Sequence, residues 1–400
     1  MSDFKKYQAQ TTPHPINISI ARASGCTIHT TDGKQLLDMV AGVSACHVGH
    51  AHPAVVGAVQ QQAADYMHVM VYGETAQQKP IELSKLLVEN SPDHIQSCYL
   101  VNSGTEAIDA SMKLARVVTA RSEILAAHNC YHGNTYGALS LMTYEERKAP
   151  FRPTLPHIGH IRFNCIQDLD KITERTAAVV LETIQGGAGF IEPIPGWLGM
   201  VRSRCNAMGA LLILDEIQPG LGRTGTFWAF EHYGAAPDMI VTGKGLGGGM
   251  PIGALLASRE HMSAISERVP LGHITTFGGN AVIAAAGVAT LGVLFQENLM
   301  HRVAGLELRF RESVHRHNTI YGARLEVRGR GLMLALLLPD AGKTADIVMD
   351  CLDQGVLFFF LLFEKRAIRV TPPLTISEDE FQYGTNLLLR MTQNHLRHDN

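Results

Sequence analysis

"LLILDEIQPGLGRTG", residues 211–225, decides how this chain is read. Four apolar residues, Leu211 to Leu214, run directly into two adjacent carboxylates, Asp215 and Glu216. A continuous apolar run of this length marks a strand buried on both faces, the usual strand of a parallel sheet. Burying a carboxylate without a partner is costly. A strand that ends on Asp215 therefore implies a group that meets the acid there.

Outward from this stretch, strand and helix signals alternate. Strands are expected at 98–102, 123–129, 177–184, 211–217, 239–244 and 252–258, and helices at 53–67, 80–90, 105–119 and 196–208. This is the α/β pattern of a mainly parallel sheet. From about residue 280 the character changes. Long helices at 280–298 and 299–317 lead to "RLEVRGRGLMLALLL", a helix at 343–354, and "GVLFFFLLF" (355–363), read as one buried strand. A last helix starts at Ser377, with Glu380 completing a capping box. Short strands with an Asp32-Gly33 turn occupy residues 20–40. The expected organisation is an N-terminal segment (1–50) packing with the small domain, a large domain (51–285) and a small α+β domain (286–400).

The bulk numbers narrow the function. The chain has 400 residues, 46% hydrophobic and 18% charged, with a net charge of -3. That is ample for a large core, and it gives no reason to expect nucleic acid or an anionic membrane as partner. Seven cysteines without a CxxC pair fit free thiols in a reducing compartment. No apolar run resembles a secretion signal or a membrane span, so the cytoplasm is the expected location.

In open α/β sheets ligands bind outside the carboxyl ends of the strands. Ser103, Glu182, Asp215 and Lys244 fall at such ends. "VNSGTEAIDASMKLAR" (101–116) is strand, Ser-Gly-Thr, helix. Backbone N–H groups at that helix start, with the Ser103 and Thr105 hydroxyls, suit a phosphate; an ordinary helix cap is the alternative. "VTGKGLGGGMPIG" (241–253) puts Lys244 among glycines. It matches GxGxxG at Gly243, Gly245 and Gly248, but a strand follows where a dinucleotide fingerprint needs a helix. A desolvated lysine has a lowered pKa, and its neutral amine can form a Schiff base with an aldehyde. Anion site, amine and buried acid together suit pyridoxal 5'-phosphate: the helix start for its phosphate, Lys244 for its aldehyde, Asp215 for its pyridinium.

At these residues the sequence resembles the class III (ω-type) aminotransferases of fold type I, the superfamily of acetylornithine, ornithine and 4-aminobutyrate aminotransferases. The resemblance covers nearly the whole chain. "SGTEA" (103–107) resembles the phosphate loop, implying Ser103, Gly104 and Thr105. "YHG" (131–133) resembles the segment that stacks on the pyridine, implying Tyr131 and His132. "ETIQGGAG" (182–189) resembles the glutamate strand end at Glu182. "DEIQPGLGRTG" carries Asp215, and Gln218 beside the cofactor's phenolic oxygen. "GKGLGGGMPIGA" (243–254) carries Lys244. "HITTFGGN" (273–280) implies that Thr276 reaches the phosphate of a partner subunit's cofactor, and hence a homodimer. "RVTPPL" (369–374) implies that Arg369 holds a substrate carboxylate. The implied activity is ping-pong transfer of an amino group from an amino acid or ω-amino donor to a 2-oxo acid such as 2-oxoglutarate. A racemase or epimerase on the same fold is the alternative.

Two departures bear on substrate. Asn134 stands where these enzymes commonly carry an arginine that grips a substrate carboxylate. Gly187 stands where they commonly carry a glutamate that masks the carboxylate-binding arginine. Both weaken an ω-amino acid reading, unless Arg147 or Arg152 replaces the missing arginine. "CHVGHAHP" (46–53) invites a metal, but lacks a second ligand cluster, and none is expected. Met67, Met70 and Tyr72 are read as substrate entrance or dimer interface.

Overall fold

In the computed structural model, which describes residues 2–71 and 73–397, the apolar run is the central strand of a seven-stranded sheet. The strand order is Ser97–Val101, Gly253–Ala257, Met239–Thr242, Leu211–Asp215, Thr176–Glu182, Glu123–Ala127, Ile158–Ile161. The last five are mutually parallel. Gly253–Ala257 runs antiparallel to both its neighbours. All residues of Thr176–Glu182 and Leu211–Asp215 are buried, which is why both read as unbroken apolar runs. The register sets Glu182 beside Asp215, so two acids share one edge of the sheet.

Local signals start the helices where expected. Ser103 caps Gly104–Thr119, its hydroxyl accepting from Glu106 N. Asn280 caps Ala281–Gln296, accepting from Val282 N and Ile283 N. Ser377 and Glu380 bond reciprocally at the start of Glu378–Arg397. The edge strand Ile158–Ile161 has no counterpart in the sequence reading; its four residues are too short and mixed to show a period.

Two four-stranded sheets complete the fold. One joins Ile20–Ser24, Thr27–Thr30 and Gln35–Asp38 to Val356–Leu357, and the other joins Glu326–Arg330, Met333–Leu337, Ala367–Val370 and Phe359–Phe360. The stretch 355–363 is therefore not one buried strand. Val356–Leu357 pairs parallel with Leu37 and Asp38. Phe359–Phe360 pairs antiparallel with Arg369 and Ile368. Its apolar residues serve two sheets, and Phe359 is exposed. Among the described residues, no single helix is long and apolar enough to cross a membrane.

Candidate active site

The carboxyl ends of the parallel strands open on a cleft of about 350 Å³. Gly104, Thr105, Tyr131, His132, Glu182, Asp215, Gln218, Lys244 and Arg369 all line it. Ser103 does not; its hydroxyl is spent on the helix cap. Thr276 is exposed and lies off the cleft of its own chain, with exposed Ile274 and Phe277 on either side. Met67 and Met70 are exposed as well, and Tyr72 lies outside the described residues.

The two acids of the opening motif part company. Glu216 turns into the interior, where it accepts from the Thr183 hydroxyl (2.5 Å), Ala229 N (2.8 Å) and Phe230 N (3.0 Å). Burial pushes its pKa up to about 8. Asp215 faces the cleft. One of its oxygens accepts from Ile217 N at 2.9 Å, and the other meets His132 Nδ1 at 2.7 Å. Burial opposes charge on His132, but Cys130 and Asp215 beside it outweigh this and hold its pKa well above the ordinary imidazole value. Glu182 accepts from Tyr131 N (3.0 Å) and Gly186 N (2.8 Å). Burial, with Asp215 nearby, raises its pKa to about 7.

Lys244 follows the strand Met239–Thr242 in a tight turn, with φ of 36°. A lysine in the left-handed region is strained, as residues at functional sites often are. Its amine makes no hydrogen bond or ion pair among the described residues, and burial lowers its pKa. Across the cleft, Arg369 sits on the strand Ala367–Val370, 6% exposed. Its Nε and Nη1 have no hydrogen-bond partner among the described residues, and its guanidinium lies 5.5 Å from the Phe190 ring. Burial pushes its pKa down to about 10, so it stays charged at neutral pH. A buried cation with unused donors is costly unless a ligand anion supplies the missing bonds.

Glycines shape the walls. At Gly133, with φ of 126°, a β-carbon would overlap the Thr105 side chain. Glycine there lets the 131–135 segment lie against the helix start, where Thr135 N donates to Thr105 Oγ1 at 3.2 Å. At Gly187 a β-carbon would sit 2.9 Å from the Phe363 ring, so no glutamate fits there while Phe363 keeps its place. Sequence reasoning missed Val43, Ile217, Pro219 and Leu362, which also line the cleft.

Comparison with known proteins gives these residues a context. The family model "aminotransferase class-III" matches residues 7–391. An acetylornithine aminotransferase from Methanopyrus kandleri is 36% identical over 371 residues, 91% of this chain and 92% of its own length. One from Caldanaerobacter subterraneus is 33% identical, covering 97% of this chain and 98% of its own length. The chain belongs to the class III aminotransferases. The ornithine aminotransferase from Toxoplasma gondii, solved with partial occupancy of pyridoxal phosphate at its active site, superposes with a TM-score of 0.91. It is 28% identical, over 98% of this chain and 93% of its own.

Membership makes the protein a pyridoxal-phosphate enzyme that moves an amino group from an amino donor to a 2-oxo acid, and the racemase alternative is not favoured. The residues present fit that cofactor. The cleft falls in the size range of small-molecule sites. A helix start, an amine with no hydrogen bond among the described residues, and a hydrogen-bonded acid all open on it.

Proposed function

We propose that Lys244 holds the cofactor's aldehyde and then acts as the base that moves the substrate proton. The cofactor supplies the electron sink that makes the substrate carbon acidic. In this reading Asp215, oriented by His132 and Ile217 N, keeps the pyridine nitrogen protonated. Backbone N–H groups at Gly104 and Thr105 bind phosphate. Tyr131 covers the ring, Glu182 fixes the Tyr131 backbone, and Gln218 faces the phenolic oxygen. Ser103 acts on the phosphate only through the helix cap. Thr276, exposed on its own chain, reaches the phosphate of a partner's cofactor in a homodimer. The exposed apolar side chains of Met67, Met70, Ile274 and Phe277 suit burial against that second copy. The divisions 1–50, 51–285 and 286–400 and a cytoplasmic location belong to the same reading.

The observation that carries the substrate reading is Arg369. It is buried, its Nε and Nη1 have no hydrogen-bond partner among the described residues, and it opens on the same cleft as Lys244. Phe363 fills the space beside Gly187 where a masking glutamate would stand. Arg369 is thus open in both half-reactions. The proposed acceptor is a 2-oxo acid such as 2-oxoglutarate, and the proposed donor an α-amino acid, each held by its α-carboxylate.

The names of the relatives favour a second reading, N-acetylornithine as donor. Asn134 donates to the Tyr131 hydroxyl at 3.1 Å and carries no charge. Of the two replacements, Arg152 is committed to Glu145 at 2.6 Å. Arg147 has no ion pair among the described residues; it lies 5.6 Å from the Phe363 ring and donates to Leu362 O at 3.3 Å. It is the cation placed to take a distal carboxylate. The test is the visible spectrum of the holoenzyme with single donors: glutamate, alanine, branched-chain amino acids, ornithine, acetylornithine and 4-aminobutyrate. Loss of the visible band with alanine or a branched-chain amino acid is expected; glutamate, the product of the acceptor half-reaction, should discharge it in either reading. Loss with acetylornithine or 4-aminobutyrate, but with no α-amino acid besides glutamate, would overturn the α-amino reading.

A further inference from the structure

Arg223 belongs to the opening motif, yet it does not line the cleft. It is fully buried, among the largest side chains with almost no exposure. The glycine-rich loop after Asp215 turns it inward: Leu221 and Gly222 take positive φ, and Gly222 N donates to Thr226 O at 3.1 Å. Burial pulls its pKa down to about 9, and no carboxylate bonds to it among the described residues. Its donors go elsewhere. Nη1 donates to Pro372 O at 2.6 Å and Leu332 O at 3.2 Å, and Nη2 reaches His47 Nδ1 at 3.4 Å. Leu332 N donates back to Arg223 O at 3.0 Å.

Asp38 favours the charge from a distance, but among the described residues every hydrogen bond of this buried guanidinium goes to a neutral group. That is an expensive way to fill space, so what it connects matters. Pro372 lies three residues after Arg369 on the same short segment. His47 is buried and neutral, its pKa driven well down by burial and by Arg223. Its ring packs on Gly245, the residue after Lys244, where any β-carbon would overlap it. His47 O also accepts from Leu374 N at 2.7 Å. The pair therefore touches the backbone of the lysine turn on one side and the backbone of the arginine segment on the other.

We infer that Arg223 and His47 are positioning residues that fix the Arg369 segment against the Lys244 turn, and so set the span between amine and carboxylate anchor. This rests on the roles proposed above for Lys244 and Arg369. Removing the guanidinium leaves Pro372 O and Leu332 O without their buried donor. The Arg369 segment then loosens while both catalytic side chains remain.

The test compares holoenzyme variants Arg223→Met, Arg223→Lys, His47→Ala and Arg369→Gln. Butyrate, a monocarboxylate, is the binding probe, read by perturbation of the visible cofactor band. The same variants are assayed with 2-oxoglutarate. Expected is an unchanged visible band in Arg223→Met, with butyrate Kd and the KM for 2-oxoglutarate each raised tenfold or more. Arg223→Lys should recover part of this and His47→Ala should fall between. A role in folding alone would lower melting temperature without moving butyrate affinity. Should Arg223→Met fail to fold, the Arg223→Lys and His47→Ala variants decide: butyrate binding within twofold of the parent in both overturns the proposal. If Arg369→Gln itself binds butyrate like the parent, the failure lies in the reading of Arg369.

Discussion

At the outer edge of the large sheet, Arg162 and Lys171 both reach Asp168, at 2.8 and 3.0 Å. Nearby, Glu192 takes Arg330 at 2.7 Å and the Tyr233 hydroxyl at 2.8 Å. In the cleft at the carboxyl ends of the same strands, among the described residues, Lys244 makes no hydrogen bond or ion pair, and Arg369, facing it from the smaller sheet, keeps two donors unused. The difference lies in where each charge finds its anion. Partly exposed charges pair with one another and gain little, because solvent screens them. In the cleft, Asp215 and Glu182 offset the burial of Lys244 only in part, and no carboxylate bonds to Arg369 among the described residues; a bound phosphate-bearing aldehyde and a carboxylate substrate would supply the rest. Such a site sacrifices stability for function.

Substitutions can break this contrast. Lys244→Ala should have the largest effect, a loss in kcat of ~10⁴-fold or more, since a positioned base alone contributes about 10²–10⁴-fold. Steady-state assay at saturating donor and acceptor checks it. Arg369→Gln should raise the KM for a 2-oxo acid by about 30-fold or more, because losing one partner of a buried charge pair costs ~2–5 kcal/mol.

Stability should move in opposite directions in the two regions. Burial lowers the Lys244 pKa, so the folded apoprotein binds fewer protons than the unfolded chain between that lowered value and 10.5. Stability therefore rises with pH through this window and is penalised at neutral pH. Lys244→Met should raise the apoprotein's melting temperature at pH 7. The same lowered pKa means that recapture of pyridoxal phosphate by the parent apoprotein should speed up with pH, with a midpoint below that of a free lysine. At the outer edge, the Arg162 guanidinium holds the Asp168 carboxyl well below its usual value. That stabilisation is present above the unfolded pKa of 3.8 and is lost as pH falls. Asp168→Asn should lower the melting temperature slightly at pH 7, converge with the parent in acid, and leave kcat/KM unchanged. This is the smallest effect expected.

The contrast was partly legible in the sequence. Asp215, Glu182 and Lys244 show because each ends an apolar run, and a charge there has no structural excuse. The helix caps at Ser103 and Ser377 follow from side chains that bond to their own turns. What did not show depends on contacts distant in sequence. Val43 lines the cleft from a turn in which Ala41, Gly42, Val43 and Ser44 all have positive φ. Only Gly42 favours that conformation, and nothing local foretells it. The division of 355–363 between two sheets is decided by its partners at 37–38 and 368–369. The opposite facing of Asp215 and Glu216 follows from strand alternation, but the donors that await Glu216 come from residues 183, 229 and 230.

The most direct test of the account is borohydride reduction of the holoenzyme, followed by peptide mapping. The account predicts the reduced cofactor's mass on Lys244 and on no other lysine. Label on a different lysine, or a fully loaded enzyme that takes no label, would contradict it.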